Sequence, residues 1–319
     1  MALESVDPPI KVEDAAGPAG AVAVTVLEED APEDHYKSKG IGVMAWISIG
    51  WLIFISLSAL LAPILPLKDQ YAGDYLSPNA GFFSPGHFLG TDESGRDVLS
   101  RAVYGARGSL LIGIGSVLVG VIIGGFFGLL AGFRGGKTDT VLSACFNILL
   151  AFPQLVLALS LVAVMSPADE GGANWGERVR VVIIAVGIVS IPILARITRA
   201  NTLAWSQREF VMAARAQGAS NWRTMFRDVL PNVVPAMLSI SLMGVAVVIV
   251  LEGALAIFGL SVSQPDASWG NMINSQISDL GQSPPVWVVP SILIFLTVLS
   301  LNYLGDVVRA KFDVRESAI

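Results

Sequence analysis

Between Arg107 and Arg134 the chain runs 26 residues without a charged side chain. A segment needs about 20 consecutive apolar residues to span the hydrocarbon core of a bilayer. Five more segments have this character: "IGVMAWISIGWLIFISLSALLA" at 41–62, the run after Asp139 up to Pro167, "VVIIAVGIVSIPILA" at 181–195, the run from Val229 past Glu252, and roughly 286–304. The 181–195 run is short, but Arg180 and Arg196 at its ends can snorkel to the two interfaces. Composition agrees. The 319 residues are 53% hydrophobic and 14% charged, against about a quarter charged in soluble domains. The expectation is an all-α integral membrane protein with six transmembrane helices.

Charge sets the orientation. Nine acids and three bases fall in residues 1–40, so the net charge of −6 belongs to that tail and the remainder is neutral. The tail is rich in Pro, Ala and Glu and reads as a disordered acidic segment. It lacks the basic and then apolar pattern of a signal peptide. With the N-terminus inside, 14 Lys and Arg residues lie on the cytoplasmic side and 6 on the other, which places both termini in the cytoplasm.

Several single features carry two readings. Gly120, Gly124, Gly128 and Gly132 recur every four residues, so one helix face admits a close neighbour, either within the chain or from another subunit. Pro153 and Pro192 predict kinks in spans three and four. "AGFRGGKT" at 131–138 imitates a phosphate-binding loop, but Ala131 stands where the pattern needs glycine and a membrane helix precedes it. It reads as a short cytoplasmic turn. Glu252 is an intramembrane acid, by default a functional candidate as an ion site. The structural alternative is hydrogen bonding to a neighbouring helix or loop, and a place near the helix end lets it reach water. Cys145 lies in an apolar run and reads as a small buried hydrophobe. His35 and His87 are too far apart in sequence to suggest a multi-histidine metal site.

"REFVMAARAQGASNWRTMFRDVLPN" at 208–232 interrupts this apolar chain. Its first part is an alanine-rich charged helix, stopped by Gly218 in a left-handed turn. Ser220 then caps a second helix, whose Trp222, Met225, Phe226, Val229 and Leu230 share one face. Pro231 follows, where the next span is expected to begin. Topology alone requires neither that apolar face nor the alanine patch, and both suit a docking surface for a cytoplasmic partner.

This segment resembles the coupling loop of ABC-importer permeases: Glu-Ala-Ala, three residues, Gly, nine residues, then Ile-x-Leu-Pro. Ala213, Ala214, Gly218, Leu230 and Pro231 match, while Met212 replaces the Glu and Asp228 the Ile. "HFLGTDESGRDVLSRAVYGARGSL", "AGFRGGKTD", "NILLAFP", "WGNMI" and "LNYLGDVVRAKFDVR" resemble recurring pieces of the C-type permeases of the oligopeptide, dipeptide and nickel importers. The resemblance spans roughly 41–315. It implies the type I ABC importer permease fold in a bacterial cytoplasmic membrane, with coupling loop 203–231.

The resemblance further implies a chain that catalyses nothing and binds no cofactor, metal or nucleic acid. ATP and magnesium would sit on two separate ATPase subunits. A homologous B-type permease, a solute-binding protein and the lipid bilayer would be the other partners, with di- or oligopeptides as substrate. Glu209, Ala213, Ala214, Gly218 and Ala219 would contact the ATPase. Arg96 and Asp97, external, would pair with each other, seal the mouth or meet the binding protein. The external 259–285 loop, with Trp269 and Gly270, would touch the binding protein. The competing reading is an independent secondary transporter or channel using Glu252. An intramembrane enzyme finds no paired-acid, Ser–His or zinc pattern in the spans.

Overall fold

The apolar runs become helices, one of them as a broken pair, and in several cases the helix extends well past the run. The computed structural model describes residues 42–166, 174–277 and 281–316. The acidic tail 1–40, with His35, lies outside the described residues. Helix α1 spans Val43–Leu61. Helix α2 spans Val98–Arg134 and includes a π-helical turn at Gly120–Gly124. It begins ten residues before the uncharged run because Asp97 caps it, its carboxylate accepting the Ser100 N–H at 2.9 Å. Arg101, in this added N-terminal part of the helix, is buried beside Asp92 at 3.5 Å.

The sequence "RGGK" is a tight corner. Gly135 and Gly136 have φ of +63° and +54°, a left-handed region that glycine enters without a Cβ clash. Helices α3 (Gly136–Leu150) and α4 (Gln154–Met165) follow, bent by 87° at a break containing Pro153. Proline lacks the N–H that would continue the helix and clashes with the preceding turn. What the sequence presents as one kinked span is thus a broken one. Pro192, by contrast, stays inside helix α5, Trp175–Ser206.

Helix α6 is Glu209–Ala216, and α7 runs unbroken over Asn221–Ile257. This differs from the expected separate cap helix and span. Thr224–Val229 form a π turn, so Pro231 lies in the first turn of the α-helical stretch after it, where its missing N–H costs least. Helix α8 is Trp269–Asn274 and α9 is Pro284–Glu316.

Among the described residues, five helices are long and apolar enough to cross a membrane, and the α3–α4 pair makes up to six. Connectivity settles the pair's role. Asp139 near the start of α3 forms a two-pronged ion pair with Arg199 near the end of α5. The start of α5 lies at the opposite end, where Arg107 of α2 stacks on the Trp175 ring at 5.2 Å. The broken pair therefore carries the chain from one end of the bundle to the other.

The glycine stripe lies against α5. A Cβ on Gly124 would stand 2.4 Å from the Ile191 carbonyl oxygen, one on Gly128 2.3 Å from that of Ala195, and one on Gly132 2.6 Å from that of Arg199. A Cβ on Gly120 would meet side chains instead, Leu194 at 2.7 Å and Ser190 at 2.9 Å. The close neighbour is thus another helix of the same chain. Backbone cannot retreat as a side-chain tip can, so Gly128→Leu should exceed the usual overpacking cost of about 1–3 kcal/mol. Little folded protein should survive detergent extraction and gel filtration. Gly176→Ala, whose new Cβ meets nothing within 4 Å, should elute as wild type. Equal recovery of the two variants would overturn this account of the α2–α5 contact.

Cys145 is exposed at the side of α3 rather than buried. An apolar run in a membrane helix satisfies lipid as well as a core, so apolarity alone did not place it.

Candidate functional site

Helix α6 is eight residues long, too short to persist alone in water. It is held by one buried anchor. Val211 is fully buried and packs in a cluster with Leu129, Phe133, Met225, Val229 and Val233 from α2 and α7. Arg215 lies over the Phe133 ring at 4.8 Å, and Arg208, at the N-cap, over Trp205 at 5.3 Å. These contacts fix the helix against the ends of two spans. They leave Glu209, Met212 and Ala213 outward, with Ala214 partly covered.

The turn that ends α6 requires glycine. Gly218 has φ +86°, its N–H reaches the Arg215 carbonyl at 3.0 Å, and the Ala219 N–H reaches that of Ala214 at 3.1 Å. The Ser220 hydroxyl accepts the Arg223 N–H and starts α7. The apolar face foreseen for 222–230 is divided in two. Met225 and Val229 go inward, whereas Trp222 and Phe226 stack face to face outside, with centroids 5.2 Å apart and planes 5° from parallel. Trp222 is 50% and Met212 54% exposed, and Phe210 is also exposed. The result is an apolar knob among arginines, with a rigid turn and no nucleophile–base pair. An exposed patch of this kind marks an interaction surface.

The other candidates are buried in contacts within the chain. Glu252 is 0% exposed, so it does not reach water as expected. Its carboxylate accepts hydroxyls from Ser261 at 2.6 Å, Ser268 at 2.8 Å and Ser109 at 3.1 Å, and also the Gly270 N–H. The loop after α7 folds back over the helix end and seals it. Arg96 pairs with Asp92 at 2.7 Å, not with Asp97, and reaches Gln264 at 2.9 Å. Asp97 instead takes His87 at 2.8 Å. A residue and its neighbour on an extended strand of chain point apart, so adjacent opposite charges seldom pair. Trp269 and Gly270 are buried rather than presented to a partner. The Trp269 indole N–H bonds the Ala102 carbonyl at 3.0 Å, and a Cβ on Gly270 would stand 2.9 Å from Gly253. No group of three or more His, Cys, Asp or Glu able to hold a metal occurs among the described residues.

A bundle of apolar spans with an exposed apolar knob at one end defines a membrane protein that offers a docking surface. The family model described as "Binding-protein-dependent transport system inner membrane component" matches residues 124–317. The chain belongs to that family: it is a permease subunit of an ABC import system and not itself an enzyme. It is 38% identical over 262 residues to the glutathione transport system permease protein GsiD of Pectobacterium atrosepticum, covering 82% of this chain and 83% of that one. It is 32% identical over 295 residues to the dipeptide transport system permease protein DppC of Alkalihalophilus pseudofirmus, covering 88% and 92%. The di/tripeptide permease DppC of Pseudomonas aeruginosa is 36% identical over 274 residues, covering 83% and 87%. In fold the chain is similar to a subunit of the MetNI methionine ABC transporter in an inward-facing conformation, with TM-score 0.55 and 20% identity over 66% of this chain and 96% of that one.

Proposed function

We propose that this chain forms half of the translocation pathway of an ATP-driven importer of short peptides, in a bacterial cytoplasmic membrane with both termini inside. The observation that carries the reading is the α6–Gly218–α7 knob, fixed to two spans by Val211 and otherwise exposed. An ATPase subunit that gripped this knob would move α2 and α7 together. Ligand-driven change requires a partner that binds the two conformations differently, and ATP-bound and ATP-free ATPases would do so. Glu209, Ala213, Ala214, Gly218 and Ala219 are the contact residues of this proposal. Small residues there would let a groove close tightly over the helix. A second, homologous permease would supply the other half of the pathway, and a solute-binding protein would deliver the peptide. Peptide as cargo follows from the relatives' di-, tripeptide and glutathione names.

Affinity purification of the tagged chain, co-expressed with its candidate partner subunits, should bring down two ATPase subunits and a second permease. Transport in proteoliposomes should require ATP and the binding protein. A chain that purifies alone and transports without ATP would refute this reading and return attention to Glu252.

A further inference from the structure

At the end of the bundle opposite the knob, a cavity of about 260 Å³ lies between the 62–97 segment, α2, the start of α5 and the loop after α7. This is a little under the ~300–1,000 Å³ of pockets that enclose drug-sized ligands, a size for one or two amino-acid residues. Its walls are Tyr71, Tyr104 and Trp175. Its charges are one of each sign, Arg107 and Asp266. Neither forms an ion pair with another described residue. Arg107 is exposed and held in place by stacking on Trp175 at 5.2 Å.

Asp266 is fixed from two sides. Tyr71 donates its hydroxyl to the carboxylate at 2.7 Å, and Asn271 donates to the Asp266 backbone carbonyl at 2.7 Å. Partial burial and that carboxylate push the Tyr71 phenol up to about 12, so its proton stays in place to donate. Gln70 also lines the cavity, but its side-chain oxygen is closed off from solvent and is not presented to a ligand.

Resting on the importer reading above, we propose that this cavity is an entry subsite for short zwitterionic peptides. The peptide ammonium is held by Asp266, its carboxylate by the Arg107 guanidinium, and its body by the aromatic walls. Charge-assisted bonds of this kind are the stronger ones and set orientation. A site built this way prefers free termini at both ends of a short ligand.

The test uses the purified permease–ATPase complex in nanodiscs of phosphatidylglycerol, without binding protein. Dialanine is titrated against tryptophan fluorescence, with Trp175→Phe identifying the responding ring. Wild type should give a saturable response. Asp266→Asn and Arg107→Gln should each weaken dialanine binding on the order of tenfold or more. N-acetyl-dialanine should bind wild type weakly and lose nothing further in Asp266→Asn. Dialanine amide should behave likewise with Arg107→Gln. Absence of saturable binding, or dialanine affinity unchanged in both variants, overturns the subsite. So does a response to added phosphatidylethanolamine with none to dialanine, which would assign the cavity to a lipid headgroup. The two proposals fail separately: ATPases that co-purify with a complex blind to dialanine leave the importer reading intact, whereas a chain that purifies without them removes it.

Discussion

Gly218→Asp should abolish ATP-driven transport and release the ATPase subunits while the membrane bundle stays folded. The expectation rests on two separate costs. Within the chain, the new Cβ meets nothing within 4 Å, so packing opposes nothing. The backbone at φ +86° charges a non-glycine residue about 1–2 kcal/mol, and aspartate is among the residues that visit this region most readily. That is small against total stability, and the variant should melt close to wild type. Against a partner the balance reverses. The side chain would project a charge and three heavy atoms beyond its Cβ into a surface whose fit depends on a bare turn. An unpaired carboxylate buried at an interface costs several kcal/mol, a loss of more than a thousandfold in affinity. Gly218→Ala separates the two costs, because it carries the backbone strain with only one added methyl. It should keep most of the ATPase. Purified Gly218→Asp complexes with the full ATPase complement and wild-type transport would mean that the knob is not the coupling element.

How much of this was legible beforehand depends on what each residue reports. Apolar runs located every span, because hydrocarbon selects on composition alone. Their ends were misplaced wherever a polar residue was satisfied inside the chain. Arg101 and Asp97 look like loop residues, yet the first is buried near Asp92 and the second caps α2. Pro231 looks like a boundary, yet a π turn absorbs it within α7. Helix-period reading grouped Trp222, Met225, Phe226, Val229 and Leu230 on one face, but that widened turn shifts their angles and divides them between core and surface. The Gly218 stop was readable because a left-handed turn has few chemical solutions. The cavity at Arg107 and Asp266 was not, since 159 positions separate the two in sequence and only the folded loops bring them to one pocket.

The same limit governs Glu252, where the second large effect is expected. An acid in a span reads as an ion site, and only its surroundings decide otherwise. Three serine hydroxyls and one backbone N–H converge on its carboxylate, from α2, from the loop after α7 and from the start of α8. The acid therefore ties three segments together at the end of the bundle away from the knob. Glu252→Leu would leave those donors buried without an acceptor, at about 1–3 kcal/mol each. Together they consume most of a typical 5–15 kcal/mol of stability. That variant should fail to accumulate in the membrane, or should melt far below wild type in detergent. Glu252→Gln keeps an acceptor for Ser261 and Ser268, which share one oxygen, and offers an amide to the Ser109 oxygen. It should fold and transport with only a modest loss. An ion-coupled transporter predicts the opposite order, because glutamine cannot carry the charge or proton however well it packs. A Glu252→Gln protein that is well folded, loaded with ATPase and inert in transport would make the carboxylate part of the pathway rather than the clasp that holds its outer loops.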